Sequence, residues 1–159
     1  MFAGQSPRMK WRANEDDEPR TIEEAIEIAR RHGVVIPEDV HIAIDRIGDL
    51  GPDVTARGPR VDKPDGSIVY WSDLVRDKTG KVPFRIRPDI LNSDEAIVAV
   101  FAHEMYELEQ MRPLLLKGKT TIGEFIAETC PGNPGNFHDE AWDVADRFVE
   151  QMRQGEKKS

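Results

Sequence analysis

The spacing of apolar residues changes along the chain and marks out successive secondary-structure elements. After Thr21 the apolar residues recur every three or four positions, which is typical of one face of a helix. Thr21 and Glu24 form a capping-box pattern at the start of this segment, and Gly33 closes it. The pattern therefore predicts a short amphipathic helix.

Period-two alternation replaces helical spacing in the middle of the chain. Apolar residues alternate along residues 40–45 and again along residues 81–87, as they do in half-buried strands. Residues 67–75 are rich in β-forming side chains and lie between two turn sequences, whereas residues 48–58 have the composition of a loop. We expect these strands to form a small antiparallel meander.

Helical spacing returns in the second half of the chain. Asn92 with Glu95 forms a capping signature, and the helix that it predicts runs to about Arg112, where Pro113 follows. Residues 96–102 are apolar on every side of this helix. Its N-terminal half should therefore be buried.

Two further helices are predicted near the C-terminus. Thr121 with Glu124 starts a short helix, which ends in the Pro- and Gly-rich residues 130–135. Asn136 caps the last helix, whose apolar residues trace a single stripe. These residues are Phe137, Ala141, Val144, Ala145, Phe148 and Met152.

The expected fold class is α+β. It consists of a small antiparallel or mixed sheet of three to four strands, packed against the helix of residues 92–112 and two to three further helices. The chain has 159 residues, of which 38% are apolar, and this is enough for one domain with a real core. We expect the domain at residues 21–154, between a flexible leader or linker at residues 1–20 and a disordered tail at residues 155–159.

Charge and cysteine content narrow the classes of function. Because the net charge is −8, we expect no nucleic-acid partner, and proteins, peptides or small molecules are favoured instead. Cys130 is the single cysteine, so no internal disulfide forms, and no signal-like segment is found. The expected location is cytoplasmic, or that of a larger secreted effector. The longest apolar run, residues 96–102, is far shorter than the roughly 20 residues that span a bilayer, so no membrane crossing is expected.

The residues that suggest chemistry follow the apolar half of the long helix. His103 and Glu107 are four positions apart, so both side chains lie on one helix face and can bind the same metal ion. Glu104 lies about a quarter-turn round the helix, where it can act as a general base on a water molecule without binding the ion itself. Charged groups at the end of a buried turn need partners, and a metal ion is one such partner.

A catalytic zinc ion usually takes three protein ligands, so a further residue is required. His138 is the best candidate, because on a helical wheel it falls among the apolar residues of the last helix and points inward. Asp139 and Asp143 on the same helix are the alternatives, although a polar helix face explains both of them more simply.

Each of these residues also has a plainer interpretation. His103, Glu104 and Glu107 can instead form a solvated helix face or a His–Glu hydrogen bond. His138 can be a core or capping-turn histidine that is satisfied by its neighbours. Both interpretations stay open at the level of sequence.

Other polar and aromatic residues are assigned no chemical role. Tyr106 could stabilise an oxyanion, but packing on a neighbouring element is the simpler interpretation. Trp142 is interpreted as a core or rim aromatic, and Cys130 as an unreactive thiol in a Pro-Gly loop. His41 lies on the polar face of a strand.

The order of elements resembles that of a known class of metallopeptidase. A strand at residues 81–87, a helix with the sequence VFAHEMYEL and a later helix with a histidine look similar to a minimal zincin domain, including the zincin-like domains of bacterial polymorphic toxins and phage-associated proteins. The resemblance covers residues 40–152. In the His-Glu-x-x-His motif, His103 matches the first ligand, Glu104 the general base, and Glu107 takes the place of the second histidine.

The resemblance implies a zinc metallopeptidase in which His103, Glu107 and His138 bind Zn²⁺, Glu104 is the general base, and the substrate is a protein or peptide. It also implies that residues 84–87 line the cleft, since a zincin holds its extended substrate along the edge of this strand. A carboxylate at position 107 weakens the power of the ion to acidify water, which leaves zinc binding without activity, or another metal, as alternatives. The second hypothesis is therefore a catalytically inactive zincin-like scaffold that acts as an interaction or assembly module.

Overall fold

The computed structural model describes residues 2–3, 9–46, 48, 50 and 54–158. Residues 1 and 4–8 of the predicted leader, residues 49 and 51–53 of the predicted loop and residue 159 of the predicted tail lie outside the described residues. Within the described part the fold is α+β, as predicted. The helices are α1 (Ile22–Arg31), α2 (Asp94–Leu116), α3 (Ile122–Thr129) and α4 (Phe137–Lys158). The strands are β1 (Phe2–Ala3), β2 (Val40–Ile44), β3 (Ala56–Arg57), β4 (Ile68–Val69), β5 (Val82–Ile86) and β6 (Thr120–Thr121).

Strand β5 is central in a mixed sheet whose order is β1-β3-β5-β2. It pairs in parallel with β2 over its full length and antiparallel with β3, while β4 pairs only with β6 in a separate two-stranded sheet. The mixed sheet of four strands agrees with the expected fold, but the antiparallel meander was wrong. The physical reason is that period-two alternation fixes which face of a strand is buried and carries no information about the direction of its neighbour.

Helix α2 forms the centre of the core, and every residue from Glu95 to Met105 is buried, as its apolar sequence predicted. Its N-cap is Ser93, whose Oγ accepts a hydrogen bond from the backbone N–H of Ala96, and not Asn92. Asn92 belongs instead to a preceding 3₁₀ turn, so the helix starts one residue later. The helix also continues past the predicted end at Arg112 to Leu116. Pro113 is tolerated close to the helix end, where few backbone hydrogen bonds follow it.

Helix α4 packs against α2 along much of its length and runs antiparallel to it. Near one end Arg153 of α4 is paired with Glu95 of α2, and near the other end His138 contacts Glu107. The side chain of Asn136 accepts a hydrogen bond from the Asp139 backbone, which confirms the predicted cap. The helix extends to Lys158, through four of the five residues that were expected to form a disordered tail.

Residues 9–20 of the predicted flexible leader lie against the N-terminal end of α2. Asn14 is buried, and its side-chain oxygen accepts a hydrogen bond from the backbone N–H of Asp94. The backbone N–H of Arg20 donates to the carbonyl of Leu91 at 2.9 Å. These contacts are polar and long-range in sequence, so the composition of the segment gives no sign of them. No helix in the described residues is both long enough and apolar enough to cross a membrane.

Candidate metal centre

The antiparallel packing of α2 and α4 brings together the three residues predicted as ligands. His103 Nε2 lies 3.1 Å from Glu107 Oε1, and His138 Nδ1 lies 2.9 Å from the same oxygen. One ligand atom of each residue lies within 4.8 Å of the other two. The three side chains are between 0% and 2% exposed. They are therefore close enough to bind one metal ion.

Two of the separations within this cluster are close to the ligand-to-ligand separations around a tetrahedral ion. Zinc–nitrogen and zinc–oxygen bonds of about 2.0–2.1 Å in a tetrahedron separate neighbouring ligand atoms by roughly 3.3 Å. The nitrogen-to-oxygen distances in the cluster, 3.1 Å and 2.9 Å, lie slightly below that value. These are also hydrogen-bond distances, so an ion would replace the two contacts of the histidines with Glu107 Oε1.

Several buried polar atoms around the cluster lack a hydrogen-bond partner within the described part of the chain. They are Nδ1 of His103, both carboxyl oxygens of Glu104 and Oε2 of Glu107. A buried carboxylate without a partner costs several kcal/mol. A bound divalent cation would offset this cost, and protonation of the carboxyl groups offsets it in the metal-free chain.

Burial shifts the ionisation of the same residues. Burial raises the pKa of Glu104 to about 8. Burial, with the neighbouring Glu104 carboxylate, raises the pKa of Glu107 well above its ordinary value. Burial, with the charge of His138, lowers the pKa of His103 well below its ordinary value. The imidazole of His103 is therefore neutral, which is the form that binds metals, while the carboxylates need a positive partner to ionise.

Trp142 is a member of the site that sequence reasoning missed. Its ring centroid lies 4.1 Å from that of His103 at an interplanar angle of 46°, and 6.4 Å from that of His138 at 87°. Trp142 follows His138 by four residues on α4, so the two share a helix face. That spacing was visible in the sequence and is the signal that could have found it. On its other side Trp142 contacts Trp11, with centroids 6.2 Å apart.

The other candidates occupy different positions. Asp139 and Asp143, the alternatives to His138, are exposed and do not join the cluster of metal-ligating groups found among the described residues. Tyr106 donates a hydrogen bond to Glu140 at 2.8 Å and so bridges α2 and α4 beside the cluster. Cys130 ends α3 and is one of the groups that raise the pKa of Glu107, so it lies nearer to the site than its loop sequence suggested.

The expectation that residues 84–87 hold an extended substrate by edge pairing was wrong. Ile86 of β5 is opposite Ile44 on one side and Ala56 on the other, and Arg85 is likewise paired on both sides. Phe84 and Ile86 are buried in the core. The central position of β5 leaves neither edge of Arg85 or Ile86 free for a substrate backbone.

No family model matches the chain, and neither the curated proteins nor the solved structures give a significant match. The likeness to zincins is therefore a hypothesis that depends on the residues of α2 and α4 themselves.

Proposed function

We propose that this protein is a metal-dependent hydrolase, most concretely a zinc metallopeptidase, with His103, Glu107 and His138 as the ligands. The observation that carries the proposal is the convergence of these three buried side chains beside unpartnered carboxyl oxygens. Two histidines and one glutamate make up a known type of catalytic zinc site, in which three protein ligands leave one position for water or substrate. Only the order of the ligands along the chain differs.

Glu104 is the residue that we assign as general base and acid. It directly follows His103, it is buried, and both of its carboxyl oxygens lack partners within the described chain. In peptide hydrolysis the water oxygen bonds to the carbonyl carbon and the C–N bond breaks. Glu104 takes the proton from the water and delivers it to the leaving amine nitrogen. A bound zinc ion supplies Lewis acidity, which polarises the carbonyl and makes the water more acidic.

The first test is the metal content of the purified protein after zinc reconstitution, measured by mass spectrometry. We expect near-stoichiometric zinc in the wild type and its loss in His103→Ala and in His138→Ala. His41→Ala is the matched control, because His41 is an exposed histidine that pairs with Asp77 and takes no part in the cluster. A wild-type protein without metal would overturn the proposal.

The second test separates catalysis from metal binding. We expect Glu104→Gln to retain zinc and to lower the hydrolysis of a mixed peptide library by roughly 100-fold or more, since general acid–base catalysis contributes that much. Glu109→Gln, an exposed position on the same helix, is the control and should leave both properties unchanged.

A metal-stabilised interaction module is the second candidate. It is favoured by one observation: all the residues of the site are closed off from solvent, as in structural zinc sites. In that case zinc raises the melting temperature, no peptide is cleaved, and Glu104→Gln behaves as the wild type does in every assay of peptide cleavage.

A further inference from the structure

Two tryptophan rings connect the metal-binding cluster with the N-terminal part of the chain. Trp142 lies against His103, and Trp11 lies against Trp142. Trp142 belongs to α4, but Trp11 belongs to residues 9–20, which contain no helix or strand. We call residues 9–20 the N-terminal strap. The second of these two rings, Trp11, thus belongs to a segment outside the helices and sheets of the fold.

We propose that the N-terminal strap is an opening cover that controls access to the metal-binding cluster. The inference rests on the proposed function, because it assigns a means of regulation to the same site. Side chains that are at most 2% exposed cannot meet a peptide substrate unless part of their surroundings moves. The strap is the part of these surroundings that contains no helix or strand.

Polar contacts attach the strap to the fold. Arg12 donates from its backbone N–H and from its guanidinium to Glu95, and Ser93 donates its hydroxyl to the Arg12 carbonyl. Arg12 also pairs with Glu156, and these two side chains are 55% and 59% exposed. The Arg12–Glu156 pair is therefore weak and screened by salt, whereas the hydrogen bonds of Arg12 to the buried Glu95 are the stronger attachment.

A depression of about 820 Å³ that is open to solvent lies beside the strap. It is lined by Arg12 and Asn14 of the strap and by Glu95 and Met152 of the two long helices. Trp11 Nε1 is buried and has no hydrogen-bond partner among the described residues. A buried indole N–H normally finds an acceptor, so the seated position of Trp11 carries a cost that its release removes. Met9 and Trp11 pack against the core, but the strap contains no helix or strand, and such segments open more readily than the core does.

The test measures the labelling of histidines and the release of zinc in the full-length protein. Diethyl pyrocarbonate acylates accessible neutral imidazole, and peptide mass analysis resolves each histidine. In metal-free protein we expect Trp11→Ala to accelerate the labelling of His103 about tenfold. A tenfold larger population of the open state would give this change, because only that state is labelled. His41, which is 46% exposed, is the internal reference and should not change.

The matched variants are Trp11→Phe and Trp71→Ala. Phenylalanine at position 11 keeps an apolar ring over Trp142 and should restore slow labelling. Trp71 is a half-buried tryptophan that lies 4.2 Å from the Arg112 guanidinium and has no contact with the cluster, so its removal should leave His103 protected. In zinc-loaded protein we expect zinc transfer to excess chelator to be faster in Trp11→Ala than in the wild type. The rate in Trp11→Phe and in Trp71→Ala should stay close to that of the wild type.

Unchanged labelling of His103 in Trp11→Ala would overturn the proposal of an opening cover. Equal acceleration in Trp71→Ala would also overturn it, because it would indicate general destabilisation of the protein. Because labelling needs no metal, the two proposals fail separately. A wild type that binds no zinc but gains His103 labelling on loss of Trp11 refutes the metal site and retains the cover. If the wild type binds zinc but Trp11→Ala leaves the labelling of His103 unchanged, the metal site is retained and the cover is refuted.

Discussion

The indole of Trp142 lies against the imidazole of His103, with ring centroids 4.1 Å apart. The same indole stands edge-on to His138, at an interplanar angle of 87°. One side chain therefore restricts the orientation of both histidine rings, which point a nitrogen toward the same oxygen of Glu107. A ring that is fixed before the ion arrives loses less entropy on binding it.

We predict that Trp142→Ala lowers zinc affinity by about 10- to 100-fold, the range found when residues that orient metal ligands are removed. It should also lower the free energy of unfolding of the metal-free protein by about 3 kcal/mol, because a large buried ring is lost. Competition with a chromogenic chelator gives the affinity, and denaturant titration gives the stability. Trp142→Phe should recover most of the zinc affinity; a Trp142→Ala protein with wild-type affinity would contradict the positioning role.

Glu104 should destabilise the metal-free protein. Its pKa is about 8 in the folded state against an ordinary value of 4.5, so the folded protein loses stability as pH rises from 4.5 to 8. We predict that Glu104→Gln, in the presence of chelator, raises the free energy of unfolding at pH 8 by about 2 kcal/mol. The gain should shrink toward pH 4.5. Glu109→Gln is the exposed control, and a gain that does not vary with pH would count against this account.

Glu95 should contribute stability with the opposite pH dependence. Burial alone would raise its pKa, but hydrogen bonds from Arg153 and Arg12 outweigh that effect and lower the pKa of Glu95 from 4.5 to about 2. Its contribution is therefore complete above pH 4.5 and is lost as pH falls toward 2.

The measurement is the difference in free energy of unfolding between the wild type and Glu95→Gln across this range of pH. We expect about 2 kcal/mol at pH 7, the typical size for hydrogen bonds to a charged group, and a smaller difference as the solution becomes acidic. Glu150→Gln on the exposed face of α4 serves as control. A difference that stays constant with pH would show that the carboxylate charge is not the cause.

Two glycines should respond to alanine in opposite directions. Gly118 has a φ of +65°, and an added Cβ would lie 2.6 Å from Cε1 of Tyr70, so Gly118→Ala should cost about 2 kcal/mol. Gly155 lies within α4 and has no neighbour within 4 Å of such a Cβ. Gly155→Ala should therefore stabilise by about 0.5–1 kcal/mol through helix propensity. Thermal unfolding of both variants measures the two effects. Destabilisation by Gly155→Ala would contradict the expectation that an added Cβ at this position meets no neighbour.

The features predicted correctly from sequence are those that depend on local chemistry. The capping boxes at Thr21 and Thr121 are both formed, because each needs only two residues three positions apart. His103 and Glu107 could be placed on one face for the same reason. His138 required one further step, since its inward direction follows from the apolar stripe of α4.

The features that were missed depend on partners remote in sequence. The direction of β5 relative to β2 is set by how the long intervening segment returns to the sheet, and period-two alternation is the same for either direction. The contacts of the strap were missed because Arg12 and Asn14 bind groups on α2 that lie about 80 residues away. Trp142 was assigned to the core or its rim because an aromatic residue on the apolar stripe of a helix usually packs in the core.

The distance in sequence between the ligands also gives the cluster a thermodynamic role of its own. Glu107 and His138 are 31 residues apart, on helices that the intervening α3 connects. An ion bound by both would favour the folded chain by mass action, because unfolding separates the ligands and releases the ion. The stabilisation would rise with the concentration of free metal and would reach about 2.7 kcal/mol at 100 times the Kd. In a chain whose only cysteine cannot form an internal disulfide, a metal ion bound at this cluster would link the two long helices through reversible coordination bonds.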